Sequence, residues 1–455
     1  MSTRRTTPDV TARALVLLAT LGLAACQAAS MPGAATTTPP PASPTPGTPT
    51  PTPNPDPTST PLDALIDATT LHHKVMFGYQ GWFACEGDGA PVGGWVHWFR
   101  GNTPDAAHAT VDLLPDVSEL PAEERCATAM TKADGSPVEL YSAWRAPTVD
   151  RHFRWMEDYG IDGVFLQRFA SELPDERFLA MRDQVTRNVR AGAEAHGRVF
   201  AIEYDISGMN PTTLVTDIEN DWMHLVDDLL VTESDRYLRD GDRPVLAIWG
   251  FGFPDRPGTP DQARALIDWL RTGAPERYRA TLIGGVPWWW RDDANTQWAD
   301  VYRSWDVITP WAVGAWNDDA GADGYRNTRI VPDLADAASH GRRFMPTVWP
   351  GFTWKNLNGG ASNAIPRRAG RHFWRAAYGA MSAGSSMMFV AMFDEVDEGT
   401  AMMKIAPGSD LPAQGTFVGV DADGETLPPD FYLRLGGRTS QAMRGEIPLT
   451  PDVPH

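Results

Sequence analysis

Three cysteines in 455 residues are too few for a disulfide-dense scaffold, and no metal-ligand or redox spacing surrounds the two that lie beyond the N-terminal segment. Basic charge is scarce too: 39 Lys and Arg stand against 58 Asp and Glu, a formal charge of -19. That argues against a nucleic-acid partner, because phosphate binding draws on clustered Lys and Arg to release counterions. The sequence has neither a G-x-G-x-x-G fingerprint nor a G-x-x-x-x-G-K-[ST] loop, so no nucleotide fold is marked. His72-His73 has no spaced acidic partner and Asp421-Ala422-Asp423-Gly424 lacks the rest of a calcium loop, so no metal and no cofactor is expected. Ala380 to Gly384 resembles a nucleophile elbow only loosely, since it precedes a strand where an elbow follows one.

What is present can build a large core: 42% of the residues are hydrophobic and 21% charged, which rules out wholesale disorder. Among 45 aromatics, Trp leads with 18, ahead of 17 Phe and 10 Tyr. Trp fills cores first and forms flat platforms second, so the excess tilts the reading towards a flat, hydroxyl-rich ligand such as a sugar.

Arg4, Arg5 and Arg13 precede an apolar run over residues 14–25, too short to span a bilayer and laid out as a secretory signal. It closes on Leu23-Ala24-Ala25-Cys26, which resembles the lipobox of bacterial lipoproteins, where the Cys is acylated. Residues 1–25 are then a signal peptide, and residues 26–61, dominated by Pro and Thr, a semi-rigid tether. Residues 62–455 form the functional domain, held as a monomer at the outer face of a bacterial membrane by its lipid, or secreted. In an exported protein Cys85 and Cys126 most simply pair, which stabilises by about 3 to 4 kcal/mol on the chain-entropy model.

Short apolar runs then alternate with helix-length amphipathic ones. Eight strand candidates cover residues 74–83, 160–169, 198–207, 244–252, 280–290, 307–316, 344–354 and 386–395. Most are continuous apolar runs, as for parallel strands buried on both faces. Helices are expected between them. One is capped by Thr148 and stopped by Gly160, another is started by Thr259-Pro260-Asp261 and stopped by Gly273, and others lie near 175–196, 212–231, 293–305, 328–341, 366–383 and 429–444. This α/β order predicts a closed (β/α)8 TIM barrel, with an open doubly wound sheet as the alternative. Residues 84–147 read as a long insertion after strand one, rising over the C-terminal face.

Active sites of barrels lie at the C-terminal ends of the strands. Reading polar and aromatic residues there gives Tyr79, Gln80, Gln167, Arg168, Glu203, Asp205, Trp249, Trp288 to Trp290, Trp316, Asn317, Asp318, Trp349, Trp354 and Asp394 to Glu398 as candidate site residues and substrate contacts. Aromatic faces stack on pyranose rings, amides and Arg read hydroxyls, and carboxylates do acid/base work. Each Trp can equally be core filling, and Arg168 can equally anchor Glu203 or Asp205. The densest cluster is Phe393-Asp394-Glu395-Val396-Asp397-Glu398-Gly399-Thr400. Its four acids repel one another, which raises at least one pKa if they share a confined site. Glu395 and Glu398 lie side by side if they fall on a helical turn, and apart if the segment is extended.

The stretch F-D-E-V-D-E-G-T resembles the F-N-E-W-H-E-G-T segment of glycoside hydrolase family 99, the endo-α-mannosidases. HHKVMFGYQGWF, GGWVHWF and YGIDGVFLQRF resemble related bacterial lipoproteins grouped as family 71/99-like hydrolases, some labelled xylosidase/arabinosidase. The resemblance implies a metal-independent barrel that retains anomeric configuration and cleaves α-linked oligo- or polysaccharides. It gives Glu395 the role of general base on the substrate 2-hydroxyl, which attacks the anomeric carbon to form a 1,2-anhydro sugar. Glu398 becomes the acid that protonates the leaving group and then deprotonates the water. The family's Trp-His is here Val396-Asp397, which removes an aromatic and an imidazole and puts mannose specificity in question. Two readings compete with hydrolysis: a surface glycan-binding protein that kept the cleft and lost catalysis, and a barrel deacetylase or amidase.

Overall fold

The computed structural model describes residues 65–454; the signal segment, Cys26 and the Pro/Thr tether lie outside the described residues. Six parallel strands follow one another in chain order, each paired with the next: β1 Lys74–Tyr79, β2 Gly163–Phe169, β3 Val199–Asp205, β4 Arg243–Trp249, β5 Thr281–Pro287 and β6 Val307–Trp311. The seventh, β7, comes in two pieces. Arg343–Phe344 pairs with β6, and Thr347–Val348 pairs with β8, Met387–Val390, which in turn pairs with β1. The break falls at Met345-Pro346, where proline has no N–H to give the ladder. Its carbonyl still accepts from Phe389 N at 3.0 Å, and Met345 N reaches Ile308 O at 2.9 Å. The strands therefore close on themselves as an eight-position TIM barrel.

Every residue of β3 and β5 is buried, as their unbroken apolar runs predict. All eight strands are shorter than their sequence pattern. The shortfall matters most where β1 stops at Tyr79, β6 at Trp311, β7 at Val348 and β8 at Val390, so Trp316, Asn317, Trp349, Trp354 and the whole Asp394 to Glu398 cluster lie beyond the strands.

Helices fill the outer layer: α1 Ala146–Tyr159, α2 Glu176–His196, α3 Leu214–Asp227, α4 Pro260–Asp268, α5 Thr296–Tyr302, α6 Asp319–Tyr325, α7 Val331–Ser339, α8 Arg371–Ser382 and α9 Phe431–Met443. Thr259 and Gln262 form the reciprocal capping box that their spacing promises, and α4 runs on through a wide turn to Gly273. Gly160 ends α1 in the left-handed conformation at φ 78°. Thr148 does not cap it. The N-cap is Arg145, and Thr148 lies a turn inside, fully buried, with its hydroxyl on Glu124. Propensity reads Thr148 as a cap, but the Pro at the second helical position already fixes an earlier start.

Between β1 and α1 the chain makes the expected insertion, which carries an antiparallel pair, Cys126–Thr131 with Pro137–Leu140. Cys85 and Cys126 are bonded, with Cα atoms 6.3 Å apart. The insertion reaches the segment after β8: Asp112 N and Leu113 N both donate to Val396 O at 3.0 Å, and Pro115 bridges to Ile405. It therefore lies against the loop that carries the acidic cluster. Replacing both cysteines by serine is expected to lower unfolding stability by about 3 kcal/mol, as the freed 41-residue loop regains entropy. Urea denaturation of Cys85→Ser/Cys126→Ser checks this, and an unchanged midpoint would show that the bridge carries none of the insertion's stability.

Candidate active site

Side chains alternate across a strand, and this alternation sorts the strand-end residues into two groups. Tyr79, Arg168 and Tyr204 turn out to the helices. Tyr79 Oη bonds His152 Nδ1 of α1 at 2.9 Å. Arg168 donates to Asp221 of α3 through two nitrogens at 2.6 Å and to Asp183 of α2 at 2.8 Å, and Tyr204 Oη donates to Asp221 at 2.6 Å. Tyr79 and Arg168 are thus corrected from substrate contacts to packing residues: both are buried and committed to the outer layer. Arg168 anchors neither Glu203 nor Asp205.

Gln167, Glu203 and Asp205 take the opposite parity. Gln167 Nε2 donates to Asp205 Oδ2 at 2.9 Å, and Asp205 Oδ1 accepts Ser207 N at 2.7 Å. Burial, followed by the charge of Asp205, pushes Glu203 up to about 8, and burial also raises Asp205.

The loop after β8 is fixed from several sides. Asp394 accepts Gln80 N at 2.7 Å and Gly81 N at 2.9 Å, so both of its oxygens clamp the end of β1. Burial nevertheless lifts its pKa to about 7. Thr353 N donates to Glu398 O at 3.0 Å, while Arg367 holds the carbonyls of Gly399 at 2.8 Å and Ala401 at 2.7 Å. Gly399 has φ +68°, and a Cβ there would meet the Thr353 methyl at 2.3 Å, so glycine is required after Glu398.

Residues 396–399 form a turn, which brings Glu398 back towards Glu395. Gln80 Nε2 donates to Glu395 Oε2 at 2.5 Å. Glu395 is raised well above the ordinary carboxylate range by burial, then by the charges of Glu398 and Asp397. Glu398 is pushed up to about 8 by burial and by Asp397, with Arg256 opposing. The two acids sense each other and titrate as a pair that retains a proton at neutral pH. Both are pushed the same way, and Glu395 feels the charge of Glu398 directly.

Two aromatic clusters adjoin the acidic loop, one through His97 beside Asp397 and the other through Arg256, which acts on Glu398. Trp82 stacks on His97 at 3.8 Å and on Phe169 at 5.2 Å. Trp249 meets Phe253 at 4.7 Å and Trp311 at 5.7 Å, with Arg256 5.2 Å over its ring. Trp316 and Trp349 pack on each other at 4.0 Å. Trp349 is wholly buried and is corrected from platform to core; Trp316 and Trp354 are nearly buried, and Asn317 is exposed. Gln80 Oε1, Trp82 Nε1, Trp249 Nε1 and Asp397 Oδ1 are buried with no protein partner, an array of donors and acceptors suited to hydroxyls. Trp82, His97, Arg256 and Trp311 escaped the sequence-based set of candidate contacts, which held Asp397 within its acidic cluster. The strand-end rule reaches Trp311 and, in the loop after β4, Arg256; nothing in the sequence places His97 there. Among the described residues no group of three or more His, Cys, Asp or Glu is arranged to hold a metal.

No protein-family model and no curated protein matches the chain. Solved structures do. The endo-alpha-mannosidase of family GH99 from Bacteroides thetaiotaomicron superposes with a TM-score of 0.60 at 14% identity, covering 83% of this chain and 99% of that one. The same enzyme in complex with BIS-TRIS-Propane gives 0.59 over the same shares. The chain has a GH99-like fold.

In this GH99-like barrel the raised carboxyls have a consequence for stability. The folded state binds protons at Glu203, Asp394 and Glu398 more tightly than the unfolded chain does. Stability therefore falls where pH passes from the ordinary carboxylate range up to about 8. Urea midpoints are expected to be higher at pH 5 than at pH 8, and Glu203→Gln is expected to flatten the slope. A midpoint that rises over this interval would contradict the arrangement.

Proposed function

We propose that this protein is an exported, lipid-anchored glycoside hydrolase that cleaves α-linked glycans with retention of configuration. The observation that supports it most is the placement of buried Glu395 beside the turn that carries half-buried Glu398 at the barrel's C-terminal end, where both carboxyls are raised and the charge of Glu398 adds to the proton affinity of Glu395. A hydrolase of this kind needs one carboxylate and one carboxylic acid at neutral pH, and a buried pair that shares a proton supplies both. Glu395 takes the proton of the substrate 2-hydroxyl as that oxygen bonds to the anomeric carbon, while Glu398 gives its proton to the departing glycosidic oxygen. Water then adds to the anomeric carbon, Glu398 accepts its proton, and the 2-oxygen regains a proton from Glu395. Gln80 orients Glu395, and Trp249 and Trp311 offer faces to the sugar rings.

A second reading, glycan binding without turnover, draws on the same shifts. If Glu395 keeps its proton when substrate is bound, the cleft recognises a glycan and leaves it intact. Screening the domain from about residue 62 on a glycan array, with reducing-end and product-anomer analysis of any hit, separates the two. Retained α-anomer supports hydrolysis, whereas binding without reducing-end release supports the second reading. Glu395→Gln and Glu398→Gln are each expected to lower kcat/KM by at least about a hundredfold while leaving the fold intact. If Glu398→Gln is mild and Glu203→Gln is inactive, the acid is Glu203.

A further inference from the structure

We propose that His97 of the insertion is a positioning residue that holds Asp397 and, through it, fixes where the proton of the Glu395 and Glu398 pair resides. The inference deepens the hydrolytic reading and rests on it.

His97 takes a left-handed backbone at φ 60-odd degrees, a conformation that costs a non-glycine residue roughly 1 to 2 kcal/mol. The surroundings impose it. Thr110 Oγ1 donates to the His97 carbonyl, Val96 N bonds Ala84 O at 3.0 Å, and Thr110 N bonds Trp98 O at 3.0 Å. The ring lies flat on Trp82, 3.8 Å away and 8° from parallel. So held, Nδ1 stands 3.8 Å from Asp397 Oδ2, and the imidazole is partly open to solvent while Asp397 is buried. Asp397 sits between the two glutamates in sequence, accepts or shares a hydrogen bond with Glu395, and acts by its charge on both. Its other oxygen, Oδ1, has no protein partner.

The charges around the pair show why this contact matters. Asp397 is faced by Asp394 from its own loop and by Asp112 and Tyr141 from the insertion, and Glu398 by Asp205 from β3 and Arg256 from the loop after β4. Arg256 acts on Glu398 and Asp205, and the His97 imidazole is the basic group in ion-pair range of Asp397. When it carries a proton it offsets Asp397 and so limits how tightly the glutamates hold theirs. Removing His97 raises their proton affinity, and removing the Asp397 charge lowers it.

The test uses His97→Asn, because Asn tolerates the left-handed backbone, together with Asp397→Asn and the double variant. The acid limb of kcat/KM, which reports ionisation of the pair, is expected to move up by roughly half to one pH unit in His97→Asn and down by about as much in Asp397→Asn. In the Asp397→Asn background, His97→Asn is expected to add little. Limbs that stay in place, or move in the same direction, overturn the proposal whatever happens to kcat. A second readout does not depend on turnover: the imidazole 15N resonances of His97 are expected to move in Asp397→Asn relative to the parent protein. Unmoved resonances overturn the contact. If the parent protein hydrolyses nothing while these resonances move, the hydrolytic reading fails and the His97 contact stands.

Discussion

Six carboxyl groups crowd the C-terminal end of the barrel: Glu203, Asp205, Asp394, Glu395, Asp397 and Glu398. In a medium of low polarity they cannot all be ionised, because each charge loses its hydration and repels the next. The rest of the local structure holds this arrangement in place. Asp394 spends both oxygens on the backbone at the end of β1, Arg367 takes the carbonyls beyond Glu398, and the insertion seals the Val396 carbonyl. These contacts go to backbone groups, so they fix the loop without neutralising Glu395 or Glu398. Apart from the neutral Gln80 amide on Glu395, the loop is anchored through atoms other than the glutamate carboxyls, which leaves both protonatable.

Much of this is written in the sequence. Continuous apolar runs give the eight strand positions, and Thr259-Pro260-Asp261 marks a helix start. The E-x-x-E-G-T spacing leaves open the choice between a turn and an extended segment that the contact of Gly399 with Thr353 decides. Strand parity is legible too. Gln167, Glu203 and Asp205 share a phase, and Arg168 and Tyr204 share the other, so period two already assigns Arg168 to the outer layer. Reading strand ends as a block, without that parity, is what put Tyr79 and Arg168 among the ligand contacts. The strand limits were less legible. Pro346 splits β7 and β8 ends at Val390, because pairing depends on neighbours far away in the chain.

The position of His97 belongs to a different class of information. A loop of sixty residues can lie anywhere over the barrel mouth, and the contacts that fix it, from Asp112 and Leu113 to Val396 and from Pro115 to Ile405, span nearly three hundred positions. No local spacing encodes them. The family resemblance points to an imidazole lost between the two glutamates, where Asp397 now stands. The fold brings an imidazole back from the insertion, on the other side of that aspartate.

The two sides of the barrel wall carry two sets of charge, and the contrast between them separates structure from chemistry. On the outer side, Arg168 meets Asp183 and Asp221, His224 meets Asp183, and Arg182 meets Glu172. Each acid there has a cation at hydrogen-bond distance, which is how a fold accommodates charge at little net cost. On the inner side the acids outnumber their cations, Arg256 and His97, and neither lies in hydrogen-bond contact with a glutamate. A chain selected only for stability gains nothing from leaving those carboxyls uncompensated, since apolar residues of similar volume would pack as well. Placed at the end of β3 and on the loop after β8, beside unpartnered indole and amide groups, the carboxyls form the kind of site that proton transfer to a hydroxyl-rich substrate would require.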